Sequence, residues 1–186
     1  MKKILTNSIK NNIVNCLNST PDMIIILENF LQGVTNIKTN TCEYHALKFL
    51  NWLKYGGKLP FSVFTVGNVK LPFLSFSSLP GVTCPGADEC LDYCYSFKAW
   101  RYPAAFFRQV QNTILMNNFP LIEDALKETL YTKKGNLRKS FSNLEKIDFR
   151  LYVDGDFSST TDLKNWMKLL EKNSKINAYG YSKSLN

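Results

Sequence analysis

Three cysteines stand close together in this chain, at Cys84, Cys90 and Cys94. Clustered thiols are typical of metal sites, and the total of five cysteines, an odd number, argues against a disulfide framework. A closed structural zinc site uses four protein ligands, whereas an iron-sulfur cluster held by three thiolates leaves one iron open to another ligand. The trio therefore predicts a metal centre, with a [4Fe-4S] cluster as the first candidate.

Zinc is the alternative metal, because thiolates suit either ion. A zinc site would require a fourth ligand, for which the candidates are Cys42, His45, Asp88 and Asp92. On this alternative the chain is a zinc-stabilised, basic module that binds nucleic acid and has no catalytic activity.

Composition and charge narrow the class of protein. With 186 residues, 45% of them hydrophobic, the chain can form one domain with a core and a small appendage. The formal net charge of +8 indicates affinity for a polyanion, so nucleic acid or a nucleotide is a candidate partner. The apolar run at 23–27 is much shorter than the roughly 20 residues that a membrane span needs, so we expect no membrane partner.

The elements that must position the cysteines fall into two parts. Helices are predicted over 9–17, 21–33 and 40–56, and we assign 1–69 to an N-terminal helical leader. The leader ends in an extended segment, and from there strand and helix patterns alternate. The predicted strands are 61–66, 71–77, 147–153 and 176–181, and the helix before the last strand carries an apolar stripe of Leu163, Trp166, Met167 and Leu170.

Alternating strands and helices favour parallel pairing through crossover connections. We therefore predict an α/β fold, either a partial (β/α) barrel or an open parallel sheet, with 70–186 as its core. The cysteine loop, Asp154-Gly155-Asp156 and Ser182-Lys183-Ser184 each follow the carboxyl end of a predicted strand. Because ligand sites of such sheets lie at that end, we expect the three segments to line one mouth.

These segments carry a family resemblance. The runs from Thr83-Cys84-Pro85-Gly86-Ala87 to Cys94-Tyr95, from Val153 to Phe157 and from Tyr179 to Ser184 resemble the phage "gene product 88" family of uncharacterised proteins, over approximately 70–186. Such sequences look like diverged relatives of the radical S-adenosylmethionine enzymes, whose partial (β/α) barrel carries a three-cysteine loop after its first strand. The resemblance implies that the three cysteines hold a [4Fe-4S] cluster.

The same resemblance implies a site for S-adenosylmethionine. Tyr93 matches the aromatic residue that lies beside the adenine, and the turn of Asp154, Gly155 and Asp156 matches the one that meets the amino group of the methionine. Ser182 and Lys183 are placed where the carboxylate or the ribose would bind. No substrate and no catalytic base can be identified.

The function predicted from the sequence is that of a metal-binding protein of radical S-adenosylmethionine-like type. Radical chemistry would require an electron donor as a partner. The cysteine spacing here, Cys-x5-Cys-x3-Cys, is longer than the Cys-x3-Cys-x2-Cys that is usual in that superfamily. We expect the protein in the cytoplasm, and in the host cytoplasm if a phage encodes it.

Overall fold

The structure is a computed structural model that describes residues 3–68 and 71–183. It contains two compact units. One consists of the described residues up to Phe61 together with Phe97–Gln111, and the other of Ser62–Ser96 together with the described residues from Asn112 onward. Ser184, the last residue of the third predicted mouth segment, lies outside the described residues.

The first unit is helical. It contains α1 (Asn7–Asn15), α2 (Thr20–Leu31), α3 (Cys42–Tyr55) and the N-terminal part of α4 (Pro103–Met116). The Thr41 hydroxyl accepts a hydrogen bond from the amide of Tyr44, so α3 is capped one residue later than the predicted start at 40.

The second unit is built around a four-stranded sheet in the order β1-β2-β3-β4. Its strands are β1 (Phe64–Asn68), β2 (Leu71–Phe76), β3 (Ile147–Leu151) and β4 (Ile176–Gly180). β2, β3 and β4 pair in parallel, and in the described part of the chain the sheet stays open. This confirms the predicted α/β class with an open sheet and N-terminal helices.

The first strand of the sheet, which falls in the segment assigned to the leader, is antiparallel to its neighbour. β1 runs antiparallel to β2 and pairs Phe64 with Phe76. The physical reason is the length of the connection, because only two residues separate β1 from β2 and a parallel crossover needs a dozen or more.

Helices connect the parallel strands. Between β2 and β3 the chain forms two 3₁₀-helices and three α-helices, and between β3 and β4 it forms α7. In chain order these are 3₁₀-helix Asp88–Leu91, 3₁₀-helix Tyr95–Arg101, α4, α5 (Phe119–Leu130), α6 (Lys139–Ser142) and α7 (Thr160–Glu171). No helix in the described ranges is long and apolar enough to cross a membrane.

Trp166 of α7 is at the centre of the core of the second unit. Its side chain is fully buried, and its ring lies within 6.5 Å of five aromatic rings, those of Phe64, Phe76, Phe119, Phe149 and Tyr152. These aromatic contacts fix α7 on the sheet and thereby fix the turn that leads into it.

The buried face of α7 differs from the predicted stripe. Met167 is 43% exposed, whereas Asp162, Trp166 and Leu169 are buried. Positions 162, 166 and 169 lie on one face of the helix, and this face is buried. The predicted stripe was therefore wrong for Met167. The apolar pattern did not locate the buried face because one of its residues, Asp162, is a carboxylate.

Candidate metal and cofactor site

The backbone ladder between β2 and β3 continues past the ends of both strands. The amide of Val153 donates to the carbonyl of Phe76, and the amide of Ser78 donates to the carbonyl of Asp154, each at 3.0 Å. These bonds place the segment that leads into the cysteine loop against the turn of Asp154, Gly155 and Asp156.

Two buried hydroxyls reinforce this junction. Ser78 and Thr83 are 0% and 2% exposed, and their hydroxyl oxygens lie 2.8 Å apart. The Thr83 hydroxyl donates to the carbonyl of Leu79 and also accepts from the amide of Asp156 at 3.3 Å. Because its single proton is used toward Leu79, the Ser78 hydroxyl must be the donor to Thr83. Thr83, the residue before Cys84, is thus tied to the turn after β3.

Asp156 joins the third predicted segment to the other two. It is 5% exposed, and its Oδ1 accepts from the amide of Phe157 at 2.7 Å. Its Oδ2 accepts from the backbone amide of Lys183 at 2.9 Å. The structure therefore brings the cysteine-loop entrance, the turn and the 182–183 segment together, and the contact to Lys183 is made by its backbone.

The cysteine loop itself is a series of tight turns. The amides of Ala87, Cys90 and Cys94 each donate to the carbonyl three residues earlier in the chain. Cys90 lies in the 3₁₀-helix Asp88–Leu91, and Cys94 directly precedes the second 3₁₀-helix. The predicted helical turn between Cys90 and Cys94 is therefore replaced by 3₁₀ geometry, which is tighter and suits short segments.

The thiols are half-buried and form no disulfide. Burial raises the pKa of the Cys84 thiol, and the nearby charges of Asp156 and Cys94 raise it further. Among the described residues, no group of three or more His, Cys, Asp or Glu side chains is arranged to hold a metal ion. The thiols are of a donor type that suits an iron-sulfur cluster or zinc, and all three lie on one short loop.

Two tyrosines flank Cys94 and differ in their surroundings. Tyr93, predicted to lie beside an adenine, is 88% exposed. Tyr95 is 59% exposed, and its hydroxyl donates to the carbonyl of Val153 at 3.0 Å, which ties the end of the loop to the end of β3. Sequence reasoning assigned no role to Tyr95, Ser78 or Thr83; their closeness to the cysteines was the available signal.

A buried hydrogen-bonded network lies next to the turn. The Tyr152 hydroxyl donates to Asp162 Oδ2 at 2.6 Å and accepts from the indole of Trp166 at 3.0 Å. The amide of Ser158 also donates to Asp162 Oδ2. Burial raises the pKa of Asp162, and the charge of Asp156 adds to this, while the hydrogen bonds from Tyr152 and Ser158 act in the opposite direction.

The raised pKa of Asp162 predicts a pH-dependent effect of Asp162→Asn. Because the folded state favours the protonated carboxyl, its stabilising contribution is present below the ordinary pKa and is lost as the pH rises through the raised value. Asparagine can still accept from Tyr152 and Ser158 but does not ionise. We expect the Tm of the variant minus that of the wild type to increase as the pH rises above about 4, the ordinary pKa of an aspartate, measured by calorimetry. A difference in Tm that stays constant or decreases as the pH rises would show that burial does not govern the pKa of Asp162.

The fold and the loop define a class: an α/β protein with an open sheet and a cysteine-rich loop at the carboxyl end of its first parallel strand. The profile of the family described as Gene product 88 matches residues 35–186. The chain therefore belongs to this family, as the resemblance indicated. The match starts well before residue 70 and includes α3, so the resemblance drawn from the motifs placed the boundary of the family too late.

Two curated relatives are similar to the chain. They are the "Gene 88 protein" of Mycobacterium phage L5 and that of Mycobacterium phage D29, each 25% identical over 126 residues, or 63% of this chain. The alignment covers 51% and 50% of these relatives, so the chain spans about half of their length. No solved structure matches the chain.

Proposed function

We propose that the protein is an iron-sulfur protein in which Cys84, Cys90 and Cys94 hold a [4Fe-4S] cluster. The observation that carries the proposal is the junction at the sheet edge, where Thr83, next to the first cysteine, is hydrogen-bonded to Asp156. Three thiols of suitable type thus lie on a loop anchored to the edge where parallel sheets bind ligands.

The loop offers suitable donors for a metal. Its turns are held by local backbone hydrogen bonds, and its thiols are half-buried. Thiols must lose their protons to bind metal, so the raised pKa of Cys84 makes cluster assembly more favourable as the pH increases. The ordering of the loop would then be coupled to metal binding.

We further propose that the same edge binds S-adenosylmethionine. When bound, a three-thiolate [4Fe-4S] cluster supplies an iron with an open position for the amino and carboxylate groups of this cofactor and an electron for its cleavage. The Asp156 carboxylate positions the turn by accepting hydrogen bonds from the backbone amides of Phe157 and Lys183. Asp154 adds a second, half-buried carboxylate to the turn. The exposed ring of Tyr93 offers a surface on which an adenine can stack.

Replacing any one of the three cysteines with alanine should abolish cluster assembly. After anaerobic reconstitution with iron and sulfide, we expect about four iron and four sulfide per chain in the wild type and a brown colour. Cys84→Ala, Cys90→Ala and Cys94→Ala should lose most of the iron and of the visible absorbance, because two thiolates cannot retain the cluster. Iron and sulfide analysis together with absorption spectroscopy measures this.

Cys16→Ala is the matched control, because Cys16 is also half-buried and free but lies at the end of α1. It should assemble the cluster like the wild type. Colourless protein that contains one zinc per chain would overturn the iron-sulfur proposal and favour the zinc-stabilised module. If the cluster assembles but S-adenosylmethionine neither binds nor is cleaved under reduction, the cluster proposal stands and the cofactor proposal is wrong.

A further inference from the structure

A cleft of about 470 Å³ opens beside α7 in the second unit. One wall is the junction between α4 and α5, residues 116–120, and the other is the start of α7 with the two residues before it. Its volume lies within the range of small-molecule sites, about 300–1,000 Å³, and is far larger than a single ion needs.

Asp162 lines this cleft and carries an unsatisfied oxygen. The residue is 5% exposed, and its Oδ2 accepts from the Tyr152 hydroxyl and the Ser158 amide. Its Oδ1 is buried and has no hydrogen-bond partner among the described residues. A buried polar atom without a partner costs stability, so a ligand group that hydrogen-bonds to it would recover a hydrogen bond that the protein does not make.

Three carboxamides surround the same cleft, those of Asn117, Asn118 and Asn165. None of their side-chain amides is hydrogen-bonded to another residue in the described part of the chain. Asn118 occupies the N-cap position of α5, yet its side chain makes no capping bond. Each amide offers both a donor and an acceptor to a ligand.

The remaining lining restricts the kind of ligand. Met116, Phe119 and Pro120 contribute apolar surface against which a flat ring can pack. Among the residues that the structure describes, no lysine or arginine lines the cleft, which disfavours phosphate groups inside it. The site thus combines one carboxyl oxygen that lacks a hydrogen-bond partner, uncommitted amides and apolar surface.

We propose that this cleft binds a nucleobase, with a polar group on the base edge hydrogen-bonding to the Asp162 carboxyl. The amides of Asn117, Asn118 and Asn165 would complement the acceptors and donors along the rest of the base edge. The base could belong to a free nucleoside or to a single-stranded nucleic acid, and the net charge of +8 suits the backbone of the latter. This inference is independent of the cluster proposal, because the cleft includes none of the three cysteines.

The test is a titration of the full chain, followed by amide NMR shifts and calorimetry. The probes are adenosine, guanosine, cytidine and thymidine at up to about 1 mM, and short single-stranded DNA. We expect at least one probe to bind, and Asn165→Leu, which fills the cleft, to weaken binding by about tenfold or more. Asp162→Asn should weaken it similarly while remaining folded, since asparagine can keep the Tyr152 and Ser158 contacts.

Asn136→Leu provides the matched control, because Asn136 is exposed and does not line the cleft. It should bind like the wild type. If a nucleoside binds, a free nucleoside is a sufficient ligand. If only DNA binds, and Asn165→Leu abolishes that binding, the ligand is a base within single-stranded nucleic acid. Three results would overturn the proposal. In the first, no probe binds, and in the second, DNA binds but Asn165→Leu leaves its binding unchanged. In the third, only a metal cation stabilises the protein, and Asp162→Asn removes that stabilisation. The same titration on Cys90→Ala separates this outcome from that of the cluster.

Discussion

Replacing Gly155 with alanine is expected to lower the free energy of unfolding by about 2–4 kcal/mol. The backbone of Gly155 has φ +82, a conformation that residues with a side chain rarely adopt. A Cβ atom there would also lie 2.1 Å from the Ser78 hydroxyl oxygen and 2.7 Å from that of Thr83. Because both hydroxyls are buried and hydrogen-bonded to each other, neither can move without breaking the junction. Urea unfolding measures the loss.

Gly135→Ala separates the two causes. Gly135 has φ +79, nearly the same backbone strain, but nothing lies within 4 Å of the position of its Cβ. We expect this control to cost only about 1 kcal/mol. The double variant Ser78→Ala, Gly155→Ala should lose less than the sum of the two single variants, because the nearest clashing atom is gone. Equal losses at Gly155 and Gly135 would contradict the close approach.

The effect at Gly155 should extend to the cysteine loop. A displaced Ser78 and Thr83 would move Cys84, which follows Thr83 directly. If the cluster proposal holds, Gly155→Ala should retain less iron after reconstitution than Gly135→Ala at a temperature where both remain folded. Close packing against Ser78 and Thr83 thus explains why position 155 of the predicted turn is a glycine, whatever cofactor binds there.

The fold class could be predicted from the sequence because its signals are local. The strands β2, β3 and β4 lie within one or two residues of the predicted ranges, since each is a short apolar run closed by polar or glycine residues. The extended segment at 61–66 was assigned to the leader, so its place in the sheet was not predicted. Its antiparallel pairing with β2 follows from a connection that is too short for a parallel crossover.

The site could be predicted only in part. That the three segments follow strand ends could be inferred from chain order, and the bond between Asp156 and the Lys183 amide brings two of them together. The network of Ser78, Thr83 and Tyr95 depends on contacts between residues up to 73 positions apart, for which periodicity gives no signal. The role of Asp162 was hidden for a related reason, since a charged residue on a buried helical face contradicts the apolar pattern used to locate that face.

Trp166→Ala is expected to be the most destabilising single change in the second unit, lowering the free energy of unfolding by about 3–5 kcal/mol. The variant loses a fully buried ring that contacts five aromatic neighbours, and it leaves a cavity at the centre of the core. It also removes the indole N–H that donates to the Tyr152 hydroxyl. Chemical unfolding followed by circular dichroism measures the change.

Trp166→Phe and Met167→Ala resolve what the indole contributes. Phenylalanine keeps an aromatic ring but cannot donate to Tyr152, so we expect an intermediate loss of about 1–3 kcal/mol and a weaker hold on Asp162. Met167 is the next residue on the same helix and is 43% exposed, so its truncation should cost less than about 0.5 kcal/mol. A loss at Met167 comparable to that at Trp166 would mean that α7 packs on the face predicted from the apolar stripe. Tyr152 and Asp162 connect this core to the turn and to the cleft. The losses of unfolding free energy in Trp166→Ala, Trp166→Phe and Met167→Ala therefore also measure how strongly the aromatic core fixes these two candidate binding regions.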